Sequence, residues 1–230
     1  MAKKKPPSKA PSASKPLQIN FPPIHTPPEL PLPFISVIED QILVLPHFFS
    51  SETCKEYIVS FSTLPLLSSP PAGRNEATRT NHRLAIEDPQ FAKRLYTSTG
   101  LESFVKDWTV KLGKRVLGPK GLHSNIRIYR YDTGAGFGPH YDSRTRDPVT
   151  GFTSYWTLLV YLTGKEDGVD GGETIFYEGN KKEAGNEIVV GLARGAALLH
   201  RHGGNDCLLH EGSIVKKGVK WVLRSDLVFG

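Results

Sequence analysis

The chain has 230 residues, enough for one domain with a sizeable core, and 38% of them are apolar. Its formal charge of +6 comes largely from Lys3, Lys4, Lys5, Lys9 and Lys15. Without those five the rest is nearly neutral, which argues against a nucleic-acid-binding face on the folded part. Cys54 and Cys207 have no metal or redox spacing, and two thiols in a chain this size argue against a disulfide scaffold, so a reducing, cytoplasmic or nuclear location is expected. No apolar stretch approaches the roughly 18–20 residues that span a bilayer, and the Lys-rich start leads into no apolar signal core.

Residues 1–33 hold ten of the eighteen prolines, mixed with Lys and Ser. Such a segment buries too little to offset its ordering entropy, so a disordered tail running into an extended lead-in is expected, with the folded domain spanning 34–230. The texture then changes. Ile42–Leu45 reads as a strand. Ser50-Ser51-Glu52 reads as a helix start, with Cys54, Tyr57, Ile58 and Phe61 on one face to about residue 61. Asp88-Pro89 opens a short helix through Leu95. A further helix is predicted over 101–112, with Phe104, Val105, Trp108 and Leu112 as its buried stripe. From Asn125 onward the period becomes two. Strands are predicted from Asn125, at Phe137–Asp142, Tyr155–Leu162, Thr174–Tyr177, Ala196–His200 and Cys207–His210, and at Val219–Phe229. Helices followed by many short strands predict an α+β arrangement with a β-sandwich or barrel.

His140-Tyr141-Asp142 falls on a predicted strand, where residues i and i+2 face the same way. An imidazole and a carboxylate can then meet one ion without bending the backbone. His210 would be the third ligand, from a distant strand. Two histidines and a carboxylate on one face of an octahedron leave three open positions, which suits a non-haem Fe(II) oxygenase. His-x-Asp by itself is weak evidence in a chain with eight histidines.

The wider pattern is more specific. Tyr131-Asp132-x-Gly-x-Gly-Phe137 precedes His140-x-Asp142. Then come Thr157-x-x-x-Tyr161-Leu162, Gly171-Gly172-Glu173-Thr174-x-Phe176, and His210-x-Gly212 with Gly218 and Lys220 behind it. Over about residues 34–229 the chain resembles the prolyl 4-hydroxylase-like branch of the Fe(II)/2-oxoglutarate-dependent dioxygenases. That resemblance implies a double-stranded β-helix (jelly-roll) barrel with supporting N-terminal helices. It also implies Fe(II) on His140, Asp142 and His210. With 2-oxoglutarate and O2 as cosubstrates, and ascorbate as a supporting reductant, a C–H bond is hydroxylated and succinate and CO2 are released. His210 is preferred as third ligand because Lys220 stands ten residues on, in the family's place for the cosubstrate anchor. His200 and His202, beside Gly203-Gly204, read as loop residues.

A buried dicarboxylate needs a cation at its distal end. Lys220 is the first candidate. Arg224, on the same strand face about 13 Å further along, is a rival or a supporting partner. The resemblance implies that Tyr131 and Thr174 donate hydroxyl hydrogen bonds to that carboxylate, and Tyr161 matches a tyrosine with this role in the oxygen-sensing branch. Arg79, Asn81 and Arg83 lie where family members carry a substrate loop. Ser154 and Val228 stand where peptide hydroxylases often place a basic residue and a histidine, which argues against collagen-like peptides. Three readings stay open: a hydroxylase of a protein or peptide residue, proline foremost; a hydroxylase of a small metabolite; and a silent jelly-roll module that binds partners.

Overall fold

The computed structural model describes residues 19–25, 30–74, 76–180, 185–204 and 207–230. The Lys-rich start lies outside the described residues. The described residues form mostly antiparallel sheet with three short α-helices. A nine-stranded sheet runs in the order Ile35–Ile38, Ile42–Leu45, Ala197–Arg201, Thr153–Tyr161, Lys220–Phe229, Asn125–Tyr131, His82–Glu87, Leu67–Ser68, with Pro119–Leu122 pairing the end of Lys220–Phe229. A four-stranded sheet runs Glu187–Val190, Thr174–Tyr177, Leu209–Gly212, Phe137–His140.

Alternation along the central strands divides the interior in two. All ten residues of Lys220–Phe229 are buried. Trp221, Leu223, Leu227 and Phe229 join Leu158, Val160 and Ile128 in a core that the helices cover. Val222 joins Tyr129, Tyr131, Tyr161 and Leu198 in a second core shared with Phe176 and Val190 of the smaller sheet. One face of the large sheet thus packs on helices and the other on the small sheet. A hydrogen bond of 2.8 Å between Tyr161 Oη and Thr174 Oγ1 joins the two sheets across that second core. Lys220, Arg224 and Asp226 alternate with the apolar set, so the strand delivers its ionisable side chains away from the helix-covered core.

The first helix, Ser51–Ser62, begins as its sequence requires: the Ser50 hydroxyl accepts from Thr53 N at 3.1 Å, and Cys54, Tyr57 and Phe61 are buried. In the second, Pro89–Ser98, Asp88 caps Phe91 N at 2.8 Å, and the helix runs three residues past Leu95. The expected helix over 101–112 stops at Val105. Val110–Leu112 instead pairs with Arg115–Leu117 as a hairpin, and Gly113 adopts a positive φ of 59° at its turn. Thr109 and Val110 are β-branched and favour the extended form, and the glycine turn rewards it. Leu112 is therefore exposed, while Phe104 and Trp108 still meet at 5.6 Å.

Packing begins earlier than the composition of residues 1–33 suggests. Phe21 is buried and stacks on Phe91 at 3.6 Å, and Leu32 is buried in the same core. The carbonyl of Pro22 accepts a hydrogen bond from Tyr57 Oη at 3.0 Å. A proline-rich segment can pack in extended form when single apolar residues find sites on a helix pair. Both cysteines are free and buried. Among the described residues no helix is long and apolar enough to cross a membrane. Phe21→Ala should lower stability by about 3 kcal/mol, as expected for deleting a buried ring. Urea unfolding measures this, and a loss below about 0.5 kcal/mol would place Phe21 outside the core.

Candidate metal centre

His140 ends the strand Phe137–His140 and His210 lies on its neighbour Leu209–Gly212, directly paired with it across the ladder. Asp142 lies two residues beyond the strand, which ends at His140 rather than running on to residue 142 as expected. The three nonetheless converge. His140 Nε2 is 3.9 Å from Asp142 Oδ1, and His210 Nε2 is 3.8 Å from Asp142 Oδ2. Among the described residues, one ligand atom from each lies within 4.8 Å of the other two.

The tautomers suit a metal. His140 Nδ1 lies 2.9 Å from the Gly138 carbonyl, and His210 Nδ1 lies 2.9 Å from the Leu208 carbonyl. A carbonyl only accepts, so each Nδ1 carries the proton and each Nε2 presents a lone pair toward Asp142. Burial, and then the neighbouring His210 ring, push the His140 pKa down to about 3. Burial likewise lowers that of His210. Two neutral imidazoles and one carboxylate are a donor set that fits Fe(II).

Asp142 is held from behind. Burial acts to raise its pKa, but Arg224 and the surrounding imidazoles hold it well below the ordinary carboxylate range. Arg224 Nη1 donates to Oδ1 at 3.1 Å, and Nη2 lies 3.0 Å from Oδ2. Thr157 Oγ1 donates to Oδ2 at 2.8 Å. Oδ1 accepts from Arg224 and, as a carboxylate oxygen, keeps lone-pair capacity on the side facing His140. Arg224 Nε in turn meets Asp226 at 3.2 Å, and Asp226 meets Arg127 at 3.2 Å.

This arrangement separates the two expected cosubstrate cations. Arg224 is committed to Asp142 and Asp226. Lys220 lies at the opposite end of the cavity, 5.2 Å from the Tyr131 ring centroid and 5.5 Å from that of Tyr161. Thr174 lines the same cavity and bonds to Tyr161. Lys220 Nζ donates one hydrogen bond, 2.6 Å, to the Gly172 carbonyl. Gly171 and Gly172 both adopt positive φ, and a Cβ on Gly171 would strike the Ile214 carbonyl oxygen, so the turn that places this carbonyl needs glycine. Burial lowers the Lys220 pKa to about 8, against the opposing charge of Glu173.

Several expectations need correction. His200 is not a loop residue, and His202, one residue past the strand that ends at Arg201, is a loop residue as expected but a buried one. His200 sits on the strand Ala197–Arg201 opposite Thr157, fully buried, with Nε2 3.7 Å from Asp142 Oδ2. His202 is buried beside it: its Nδ1 lies 2.8 Å from Thr157 Oγ1 and its Nε2 lies 2.9 Å from Ser154 Oγ. Ser154 is therefore an internal partner of His202. Asn81 is buried and accepts from Ser69 Oγ at 2.7 Å, so it pins a loop instead of lining the cleft. Arg79 and Arg83 do line the cleft that opens onto His140 and Asp142. Thr157, His202, Asp226 and Arg127 form a support for the site that sequence reasoning missed. The one local signal was Arg224-x-Asp226, two opposite charges of equal parity on a strand.

Mn(II) titration by calorimetry should find one ion per chain. His140→Ala or His210→Ala should weaken it at least a hundredfold. His202→Ala, which reaches Asp142 only through Thr157, should cost no more than about tenfold. Equal losses from all three would remove His210 from the ligand set. Arg224→Met leaves two buried carboxylates without their shared cation and should destabilise the metal-free protein by about 3–5 kcal/mol in urea.

No family model and no curated protein matches this chain. Solved structures do. A collagen prolyl hydroxylase of Paramecium Bursaria Chlorella virus-1, in complex with 2-oxoglutarate, is 18% identical, covers 83% of this chain and 97% of its own, and superposes with a TM-score of 0.57. A prolyl hydroxylase from Trichoplax adhaerens, bound to a hypoxia inducible factor peptide, is 16% identical over 84% of this chain and 86% of its own, with a TM-score of 0.59. The α-ketoglutarate-dependent carbocyclase SnoK of nogalamycin biosynthesis is 12% identical over 83% of this chain and 80% of its own, with a TM-score of 0.55. At these identities the likeness speaks for architecture, and the architecture of this chain is that of the 2-oxoglutarate-Fe(II) oxygenases.

Proposed function

We propose that this protein is an Fe(II)- and 2-oxoglutarate-dependent dioxygenase that hydroxylates a C–H bond, and that its two sheets close as a double-stranded β-helix around the site. The observation that carries this reading is the convergence of two Nε2 lone pairs and one carboxylate at one end of a cavity whose other end holds a buried lysine. His140, Asp142 and His210 would hold the iron. Lys220 would take the distal carboxylate of 2-oxoglutarate, with hydroxyls from Tyr131, Thr174 and Tyr161 beside it. Iron, 2-oxoglutarate and O2 together supply the oxidising power, with succinate and CO2 as coproducts.

The charges of the cavity support that pairing of ligands. Asp142, Arg224, Asp226 and Arg127 already alternate in sign. A divalent cation and a dicarboxylate anion together add no net charge to the buried space, whereas either alone would. The chain's own part is to keep both imidazoles neutral, hold Asp142 ionised, and present an ammonium where water is largely excluded.

The prime substrate we favour is a protein or peptide residue, prolyl foremost, on the likeness to prolyl hydroxylases, one of them bound to a peptide. A small metabolite is the second reading, because the likeness to a biosynthetic carbocyclase shows the same architecture around different chemistry. A silent binding module accounts for neither the neutral imidazoles nor the buried lysine.

The protein with Fe(II), 2-oxoglutarate, ascorbate and O2 should release succinate, read by mass spectrometry, and yield +O products from peptide or metabolite libraries. No succinate despite bound metal and 2-oxoglutarate would favour the binding module. Lys220→Ala should raise the 2-oxoglutarate requirement about ten- to a hundredfold, the loss of one charge-assisted hydrogen bond, with metal binding kept. The lysine must be protonated to pair, and its lowered pKa means the proton leaves as pH rises. Affinity of the Mn(II)-loaded protein for 2-oxoglutarate should thus be flat up to about pH 8, then fall by up to about tenfold per unit. Lys220→Arg should abolish that fall.

A further inference from the structure

The cleft leading to the metal centre is about 580 Å³, and its wall carries two guanidinium groups, Arg79 and Arg83. Arg79 is half-buried. Its backbone bridges to Phe137, and its guanidinium lies over the Phe137 ring at 3.7 Å from the centroid. Phe137 in turn stacks on His140 at 3.6 Å. The cation therefore sits two stacking steps from a ligand of the metal centre.

Neither guanidinium has a carboxylate partner among the described residues. Among the described residues the side chains of Arg79 and Arg83 form no ion pair and no hydrogen bond, although the backbone of each pairs with neighbouring strands. Two carboxylates line the same cleft. Asp142 is taken by Arg224, and Glu76 accepts from Gly73 N at 3.0 Å at the exposed rim. Burial of Arg79 acts against its charge, and Arg83 and Arg224 add to that strain. Contact with the Phe137 face offsets only part of the cost of half-burying a cation. A guanidinium left with its hydrogen-bond fork unused is matched geometrically by a carboxylate, which accepts two parallel N–H bonds. The ladder from Arg79 through Phe137 to His140 would then set the spacing between that anion and the reacting carbon.

We propose that the prime substrate carries a carboxylate, which Arg79 binds at the cleft wall with Arg83 beside it, while a C–H bond a few atoms away faces the metal centre. This rests on the oxygenase reading of the site. The carboxylate could belong to a free small acid or to an acidic side chain in a peptide, and the two are separable.

The test uses the full chain loaded with Mn(II) and saturated with 2-oxoglutarate, so that the cosubstrate site is filled. Small carboxylic acids are compared with their neutral amides, and glutamate-bearing peptides with their glutamine counterparts. Paramagnetic broadening of the probe protons by Mn(II) reports binding near the metal without turnover. Acids of at least one class should broaden at roughly tenfold or lower concentration than their amides, as a bidentate arginine pair implies. Arg79→Gln should shrink that ratio to below about threefold, and Arg79→Lys should restore only part of it. Preference confined to small acids assigns the free acid, and preference confined to peptides assigns the acidic side chain. Equal broadening by acids and amides, or a preference unchanged in Arg79→Gln, overturns the proposal while leaving the oxygenase reading in place. A parent protein that binds no Mn(II) overturns both together.

Discussion

Asp142 has within 4 Å of its carboxylate three imidazoles, a hydroxyl and a guanidinium. The arrangement of the site depends on how that one buried charge is compensated. A carboxylate removed from water is costly unless paired and hydrogen-bonded, and Arg224 meets both oxygens at once. Arg224 is itself buried and would be costly alone. Asp226 holds its Nε side, and Arg127 holds Asp226 toward the outside. Four charges alternating in sign carry the compensation from the buried Asp142 outward to Arg127.

That chain of charges is also a geometric device. Arg224 and Asp226 share a strand face with Lys220, and the pleat prevents any of them from turning into the helix-covered core. Register with Thr153–Tyr161 places Leu159 opposite Arg224 and Thr157 opposite Asp226, so the Thr157 hydroxyl comes within reach of Asp142 and His202 together. A one-residue slip would exchange Lys220, Val222 and Arg224 for Trp221 and Leu223 on the inner face. The same apolar residues that bind the helices therefore hold the polar ones in place.

The two ends of the cavity differ in kind. At the Asp142 end every polar group is engaged or aimed at the metal position, apart from the His200 Nε2, which has no hydrogen-bond partner among the described residues. At the Lys220 end an ammonium with one protein hydrogen bond stands among aromatic rings and hydroxyls. Outside, the cleft offers two arginines without a carboxylate partner among the described residues. The interior charges are satisfied by one another, while the cations at the entrance are not.

Much of this was readable along the chain because it is encoded within a few residues. Ser50 and Asp88 cap helices, alternation marks the strands, and His140, Asp142 and His210, picked out by their spacing, do converge. Where local signals competed, periodicity misled: the helical stripe through Leu112 yielded to β-branched residues and a glycine turn. Only the tertiary structure decided the rest. Arg224 and Asp142 lie 82 residues apart, and nothing near either names the other. Their pairing follows from strand register, which also turned Arg224 from a rival cosubstrate anchor into the partner of Asp142 and buried His200 and His202 beside it. Phe21 likewise looked like part of a proline-rich tail until two helices supplied a surface for its ring. Short-range rules specify which elements form; burial of apolar faces against one another specifies which distant charges must meet.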